Sequence, residues 1–398
     1  MKYFGKYIVI FCTLLGISAL SQTRYEQDFL ELWNDYNDNY AYFEKQHIDW
    51  AKVKDIYQPQ AAAIKDDAQF ITFLEQVLQE FHNGHVSLTT NLPSSNRIIP
   101  SGNDLFAEKR GNYYFIADVK PQSGAEACGL KPGMQLLKFN GKAVGEELKR
   151  FLPKYITSYN ESMYSYALNM LMAGTHDTQR EITLIENGIE KIYYPDAHKP
   201  VRPEKLLDYK LLPGNIGYIK INNSLGNTDV IAEFDKALDD LIKTKSIILN
   251  LTDTPGGGNT TVARGIMGRF TCSPLPYQKH VINEKQYGTV RSWVEFVSPR
   301  KTNYTGKLVV MAGHWTGSMG EGMVIGFDAM RRAKITGTKM AGLLGAIYTY
   351  RMKNTNIGYQ IPIEGMYHVN DTPREDFMPK YITANSSETF AKALSLAR

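Results

Sequence analysis

The chain has 398 residues, of which 43% are apolar and 22% charged, and this ordinary globular composition excludes a disordered, collagen-like or multi-span membrane protein. The length is enough for roughly two to three domains. The formal net charge is only +4 and no run of five Lys or Arg residues occurs, so a nucleic-acid partner is not expected.

The amino terminus, residues 1–21, has the pattern of a cleaved export signal. Lys2 and Lys6 precede the apolar stretch Tyr7–Leu20, and small residues at Ala19 and Ser21 provide a cleavage site. A membrane anchor is the alternative, but it needs about 18 to 25 apolar residues and this run has roughly 14. We therefore expect an exported protein, periplasmic or extracellular, with no stable membrane anchor after signal cleavage.

Residues 22–95 are predicted to form a helical segment. Apolar side chains recur at helical spacing from Phe29 to Tyr36 and again from Phe70 to Phe81. The second helix should end at Asn83-Gly84, a pair typical of helix ends, and the alternation that follows indicates a strand. His85 is thus predicted to lie at the junction between this helix and the strand.

Residues 96–204 are predicted to form a small strand-rich domain. Its strands are expected at Tyr113–Ile116 and Gln135–Phe139, and Asn140-Gly141 is a strong hairpin signal. The run Ser123–Gly133 between them resembles the "S-x-A-x-x-A-G-L-x-x-G-D" segment of PDZ domains, without the final Asp. This resemblance implies binding of an extended polypeptide at a sheet edge. The alternative is a rigid lid without peptide affinity.

Residues 205–398 show strands alternating with helices, which is typical of an α/β layer fold. The strands are predicted at Gly217–Ile221, Ile247–Leu251, Leu308–Met311 and Lys334–Thr336, and the helices at Val230–Leu241, Thr260–Gly268 and Ser318–Arg332. Functional groups in such sheets gather in loops beyond the carboxyl ends of strands. The glycine-rich loops 253–258 and 314–321 occupy such positions.

Two chemical interpretations compete for these loops. Phosphate binding is disfavoured, because neither loop has the G-x-x-x-x-G-K-[ST] or G-x-G-x-x-G spacing. Acyl transfer fits better, since Ser318 lies at a predicted helix amino terminus beside glycines that can offer N–H groups to an oxyanion. On spacing alone, Ser318 could equally be a simple helix cap.

Three motifs resemble the C-terminal processing, or tail-specific, serine peptidase family, which includes the tricorn core protease. Phe81–Leu88 is similar to "L-x-D-G-H-x-x-L", Ile247–Gly257 to "I-L-D-L-R-x-N-x-G-G", and Thr316–Glu321 to "T-A-S-A-A-E". The resemblance implies an α/β fold with a crotonase-like core, an inserted PDZ-like domain and an N-terminal helical segment. It also implies that Ser318 is the nucleophile.

The general base has to be assigned differently from the Ser-Lys members of this family. Their lysine lies in a "G-x-x-T-x-G-K" segment, and here Leu343 occupies that position. Lys339 is four residues too early to be a good substitute. The tricorn-like branch uses a histidine from the amino-terminal part, which corresponds to His85, and an imidazole suits this task near neutral pH. His82 and His314 are the alternatives.

The rest of the catalytic set follows from the same resemblance. Glu375, near the degenerate "G-x-x-P-D" segment, is the predicted carboxylate that orients the histidine. The oxyanion hole is assigned to the Met319 N–H and to the N–H of Gly256 or Gly257. Glu321 is expected to order the start of the helix.

We therefore predict an exported serine endopeptidase that cleaves unfolded or tail-exposed polypeptides by acyl-enzyme chemistry, without metal or cofactor. One alternative is a catalytically impaired member of the family that binds peptides through its PDZ-like domain. Another is a crotonase-like enzyme acting on acyl thioesters. Cys128 and Cys272 are expected to be buried thiols rather than a disulfide, and the oligomeric state stays open.

Overall fold

The computed structural model describes residues 22–186 and 188–398, so the predicted export signal lies outside the described residues. Its strands form three sheets. The two largest clusters of buried apolar side chains belong to the amino-terminal helices and to the carboxyl-terminal α/β part. A third cluster fills the small domain between them.

The amino-terminal part is helical, as predicted. Its elements are α1 (Arg24–Asn39), α2 (Phe43–Gln46), α3 (Trp50–Ala61), α4 (Asp67–Gln79) and β1 (Ser87–Leu88). The Asp66 carboxylate caps α4 by accepting the Gln69 N–H, which satisfies one of the free donors at the helix start. The helix ends slightly earlier than predicted, and the chain then turns through His82 at φ +41°. His85 lies two residues before β1.

The small domain has its own antiparallel sheet and core. It contains β2 (Leu105–Arg110), β3 (Tyr113–Val119), α5 (Gly124–Ala127), β4 (Gln135–Phe139), β5 (Lys142–Ala143), α6 (Val144–Glu147), α7 (Glu161–Ala173), β6 (Ile182–Glu186) and β7 (Ile189–Tyr193). The sheet order is β2-β3-β4-β6-β7, with β5 paired to β4. Asn140 and Gly141 both have positive φ, as the predicted hairpin requires. The PDZ assignment itself stays a prediction.

The carboxyl-terminal part holds the remaining elements. They are β8 (Leu207–Leu212), β9 (Ile216–Ile221), α8 (Val230–Asp240), β10 (Ser246–Asn250), α9 (Thr260–Met267), β11 (Leu275–Glu284), β12 (Thr289–Val297), β13 (Lys307–Ala312), α10 (Met319–Ala329), β14 (Lys334–Gly337), β15 (Ala346–Arg351), β16 (Gly358–Tyr367), β17 (Tyr381–Ile382) and α11 (Ser386–Ala397). The predicted alternation of strands and helices is confirmed.

The central sheet of this part has the order β17-β14-β13-β10-β9-β8. All neighbours in it are parallel except β8 and β9. Helices α8, α9 and α10 share one core with one face of the sheet, and α11 covers the other face. Because β10 and β13 are parallel neighbours, the two loops that follow them emerge side by side.

A further antiparallel sheet, not foreseen from the sequence, joins the two ends of the chain. Its order is β1-β16-β11-β12, and β15 also pairs with β16. Ser87 in β1 lies opposite Gln360 in β16, so the segment that carries His85 is held against the carboxyl-terminal part. The Tyr36 hydroxyl adds a hydrogen bond of 2.7 Å to the Gln360 carbonyl.

Two smaller findings complete the fold. Cys128 is half-buried and Cys272 exposed, and both are free thiols, so the expectation that both are buried is wrong for Cys272. Cys272 follows the short helical turn after α9 and comes to the surface before β11 begins. Among the described residues, every helix is too short or too polar to cross a lipid bilayer.

Candidate active site

The loops after β10 and β13 form one continuous structure. Thr254 and Thr316 pair as an isolated parallel bridge, which extends the strand pairing past the sheet edge. Both threonine hydroxyls donate to the Leu251 carbonyl, at 2.7 and 2.9 Å. The Gly317 N–H donates to the Thr254 carbonyl at 3.2 Å. These bonds fix the approach to Ser318 against the glycine-rich loop.

Ser318 is the N-cap of α10 and its backbone conformation is unusual. It is half-buried and has φ +51° and ψ −116°, a region that non-glycine residues seldom occupy. Its N–H donates to a Glu321 carboxylate oxygen at 2.8 Å. Such strain persists only where the surroundings impose it, and it is concentrated at functional sites. The strained backbone therefore distinguishes Ser318 from an ordinary helix N-cap and is typical of a functional residue.

Gly257 packs directly on this serine. It has φ +63°, and a methyl group added at its Cα would lie 2.8 Å from the Ser318 Oγ and 3.0 Å from the Met319 nitrogen. Only glycine fits there, because any Cβ would overlap the serine. The Met319 N–H belongs to the first turn of α10, where N–H groups have no partner within the helix. It faces the same space as the Ser318 side chain.

The other two predicted oxyanion donors are engaged within the loop. The Gly256 N–H donates to the Asn223 Oδ1 at 2.8 Å, and the Gly257 N–H donates to the Thr254 carbonyl at 3.3 Å. Backbone donors in a folded loop find internal acceptors wherever these are available. In this structure the Met319 N–H is thus the donor, of the three predicted, that is not engaged by a neighbouring residue.

His85 is buried, with 6% of its surface exposed. Its Nδ1 lies 2.8 Å from the Leu344 carbonyl oxygen, and its backbone N–H donates to the Asn83 Oδ1 at 3.0 Å. Because the carbonyl can only accept, Nδ1 carries the proton and the lone pair is on Nε2. Burial, and next the positive charge of Arg374, lower the pKa of His85 to about 4. The imidazole is therefore neutral at pH 7, as a general base must be.

Segment 342–345 packs against the residue before His85 and against the residue before Ser318. The Leu343 methyls lie 3.1 Å from a methyl position on Gly317 and 2.9 Å from one on Gly84, the residues just before Ser318 and His85. Leu343 stands at the position that is lysine in the "G-x-x-T-x-G-K" segment of the Ser-Lys peptidases, and it is buried. It fills the space between the two loops.

Glu321 ties Ser318 to this same segment. Its carboxylate accepts the N–H groups of Ser318, Gly342 and Leu343, at 2.8, 2.9 and 3.3 Å. Complete burial raises the pKa of Glu321 to about 7, although Arg374 and these N–H groups oppose the shift. The residue accordingly orders the start of α10, together with the loop that faces it.

Glu375 does not contact His85. One of its carboxylate oxygens pairs with the Lys45 ammonium at 2.5 Å, and Asp376 pairs with the same ammonium at 2.7 Å. The short helical turn at 374–376 directs both carboxylates toward α2, and the Leu344 carbonyl takes the position expected for Glu375. The sequence-based assignment of Glu375 as the orienting group is therefore not what this geometry provides.

Arg374 is the residue that sequence reasoning missed. Its Nη2 donates to the carbonyls of Leu343 and Gly345, at 2.8 and 2.9 Å, and only 2% of the residue is exposed. The degenerate motif around 374–376 pointed to this turn. Which of its side chains faces inward depends on the backbone of the turn, and no pattern in the sequence records that.

The alternative bases lie elsewhere. His82 packs edge-on against Tyr155 and Tyr166, and His314 stacks on Phe106 with ring centroids 3.8 Å apart. Burial lowers the pKa of His82 to about 4 and that of His314 to about 3. Lys339 is exposed to solvent. In residues 22–186 and 188–398, no group of three His, Cys, Asp or Glu side chains is arranged to hold a metal ion.

Two family models match parts of the chain. Residues 215–377 match Peptidase family S41, and residues 21–79 match the Tricorn protease C1 domain. The fold is similar to that of mature CPAF, at a TM-score of 0.65 and 14% identity over 94% of this chain and 95% of that one.

Two further structures share the fold. One is the photosystem II D1 C-terminal processing protease, at a TM-score of 0.58 and 16% identity over 91% of this chain and 93% of that one. The other is a putative peptidase from Parabacteroides merdae, at a TM-score of 0.58 and 15% identity over 94% of this chain and 93% of that one. The two family matches, to Peptidase family S41 and to the Tricorn protease C1 domain, support a serine-type peptidase of the tail-specific kind.

Proposed function

We propose that this protein is an exported serine endopeptidase that cleaves unfolded or tail-exposed polypeptides through an acyl-enzyme. Ser318 is the nucleophile and His85 the general base. The observation that carries the proposal is the convergence of both residues on segment 342–345. Leu343 packs against the residue before each of them, and the Leu344 carbonyl holds the proton on Nδ1 of the imidazole.

The chemistry follows from these positions. The neutral Nε2 of His85 accepts the proton of the Ser318 hydroxyl while Oγ attacks the substrate carbonyl, and the imidazolium then protonates the leaving amine. The Met319 N–H, at the positive end of the α10 dipole, stabilises the oxyanion. Water then hydrolyses the acyl-enzyme with His85 again as base.

A complete oxyanion hole requires a second donor. The Gly256 N–H can supply it once Asn223 releases it, and the loop around Gly256 is exposed, so an incoming substrate can reach this bond. We assign the released Gly256 N–H as the second donor, because two donors are the usual arrangement for stabilising a tetrahedral intermediate.

Because the N–H groups of Gly256 and Gly257 are hydrogen-bonded within the loop, a second candidate function is also favoured. If Asn223 is never displaced, the chain is a catalytically impaired member of the family that binds peptides through the small domain. The exposed edge strand β7 of that domain is one place where an extended peptide could add. Peptide binding without turnover is the outcome that this candidate predicts.

The test measures casein hydrolysis and covalent labelling by a serine-reactive phosphonate from pH 5 to 9. Ser318→Ala should abolish both, and His85→Ala should reduce hydrolysis by roughly 10³-fold. The exposed His47→Ala is the matched control and should retain full activity. An unlabelled, inert wild type that still binds unfolded polypeptides would establish the second candidate instead.

Export and tail preference are separate parts of the proposal. Expression of the chain with and without residues 1–21 and assay of the periplasmic and cytoplasmic fractions would test export. Tail preference is tested with one unfolded substrate carrying a free or an amidated C-terminus. Faster cleavage of the free form is expected, and equal rates would argue against a role for the terminal carboxylate.

A further inference from the structure

Arg374 is a buried cation without a carboxylate partner among the described residues. Its side chain donates to two backbone carbonyls instead, and its Nε–H is buried without a described acceptor. Burying a guanidinium is costly unless it is paired and fully hydrogen-bonded. An incompletely satisfied buried arginine therefore calls for an explanation beyond stability, and its location beside His85 supplies one.

The contacts of Arg374 surround the group that orients the imidazole. Nη2 joins the carbonyls of Leu343 and Gly345, so the intervening Leu344 is held from both sides. The Leu344 carbonyl accepts the proton of His85 Nδ1 at 2.8 Å. A rotation of this peptide would remove the acceptor that fixes the tautomer.

We propose that Arg374 is the positioning residue of the site, which locks segment 343–345 so that the Leu344 carbonyl holds His85 with its Nε2 lone pair free to act as base. This role rests on the proposed function. In many catalytic triads a carboxylate orients the histidine, and here Arg374 does so through a backbone carbonyl. Arg374 touches neither Ser318 nor a reacting atom through any bond seen here, and it acts only by fixing the acceptor.

A second effect of the same residue supports this assignment. Arg374 is the charged side chain that acts on the pKa of His85, and its positive charge lowers that pKa in addition to burial. The same charge opposes the raised pKa of Glu321, on the Ser318 side of the segment. One guanidinium thus keeps the imidazole unprotonated and favours the ionised carboxylate that binds the Ser318 N–H.

The experiment compares Arg374→Met and Arg374→Lys with the wild type by nitrogen NMR of the His85 imidazole and by steady-state kinetics. Arg374→Met should show a mixture of imidazole tautomers, a raised His85 pKa and a kcat lowered about 10- to 100-fold, with KM changed less than about twofold. Arg374→Lys keeps a cation that can donate to both carbonyls, so it should retain the Nδ1–H tautomer and recover kcat to within about fivefold.

Arg332→Met is the matched control. Arg332 also donates to backbone carbonyls, those of Phe270, Tyr304 and Gly306, but it lies at the opposite end of α10. This control should lower thermal stability and leave the tautomer and pKa of His85 unchanged. If Arg374→Met does not fold, Arg374→Leu takes its place, because leucine also removes both the charge and the N–H donors.

A folded Arg374→Met or Arg374→Leu protein whose His85 tautomer and pKa match the wild type would overturn the inference. The NMR readout does not depend on turnover. If the wild type and Ser318→Ala are equally inert, the proposed function fails while the tautomer still decides the role of Arg374.

Discussion

At the scale of single residues, the site depends on two neighbouring positions with positive φ. Ser318 and Gly257 pack against each other, and both have positive φ where they approach closely. The sequence placed both residues in glycine-rich loops after strands, and the structure brings these two loops side by side. Their strain is a property of the folded chain.

Gly257→Ala should disable the nucleophile. The new methyl would overlap the Ser318 side chain and would force a strained φ, so phosphonate labelling should fall at least about 100-fold. Gly111→Ala is the control, since Gly111 has φ +61° and no atom within 4 Å of the added methyl. Equal labelling in both variants would mean that Gly257 does not restrict Ser318.

Asn223→Gly should increase activity. The change removes the acceptor that holds the Gly256 N–H and keeps a residue compatible with φ +51° at position 223. With that donor released, the labelling rate of Ser318 should rise several-fold, up to the 10²- to 10³-fold that one oxyanion donor typically provides. An unchanged rate would exclude Gly256 from the oxyanion hole.

The group that orients the His85 imidazole could not be predicted from the sequence. The degenerate motif predicts Glu375, yet its carboxylate pairs with Lys45, and the neighbouring Arg374 faces the site. A backbone carbonyl, that of Leu344, holds the imidazole. Carbonyls are present at every residue, so sequence patterns carry no information on which one will act.

At the scale of elements, the parallel strands and their helices were predictable. Buried strands such as β10 and β13 are continuous apolar runs, and the predicted helices α9 and α10 follow them. The antiparallel sheet of β1, β11, β12 and β16 was not predicted. Its strands are two to ten residues long, and β1 and β11 pair with β16 across large sequence separations, so local periodicity marks the sheet poorly.

The small domain is attached to the nucleophile loop by defined contacts. Phe106 of β2 stacks on His314, and the Trp315 indole N–H donates to Asn103. Lys120 at the end of β3 pairs with Asp253 of the glycine-rich loop at 2.7 Å. Both loops of the candidate site therefore carry a contact with the small domain, which the sequence predicted only as a neighbour along the chain.

Phe106→Ala should expose His314 to water. Burial lowers the pKa of His314 to about 3, so removing the stacked ring should raise that pKa toward the ordinary value near 6.5, as measured by NMR titration. Phe115→Ala, on the adjacent strand and away from His314, is the control. A His314 pKa unmoved by Phe106→Ala would show that other atoms keep water out.

At the scale of the whole molecule, buried histidines should make the fold sensitive to mild acid. The pKa values of His82, His85 and His314 are lowered to about 4, 4 and 3, so between pH 4 and 6.5 the unfolded chain binds protons that the folded one does not. Stability therefore falls as pH falls. Glu321, with its pKa raised to about 7, opposes this with one proton held by the folded state.

These four groups together should contribute a slope of about 2 kcal/mol per pH unit near pH 5.5, measured by urea unfolding. His314→Phe removes one titrating group and preserves stacking on Phe106, so it should reduce the slope by about half. His47→Gln, at an exposed position, should leave the slope as it is. A flat stability profile from pH 6.5 to 5.5 would mean that the three imidazoles are hydrated in the native state.

The pairing of β1 with β16 also sets the point during synthesis at which the surroundings of His85 can first be completed. His85 is made early, but the Leu344 carbonyl, Arg374 and the partner strand of β1 come from the last part of the described chain. During synthesis, a nascent chain that already contains Ser318 still lacks the carbonyl that holds the His85 imidazole. If the proposed function is correct, the emerging chain, which is itself an unfolded polypeptide, cannot be cut by its own Ser318 until nearly all of the described chain is present.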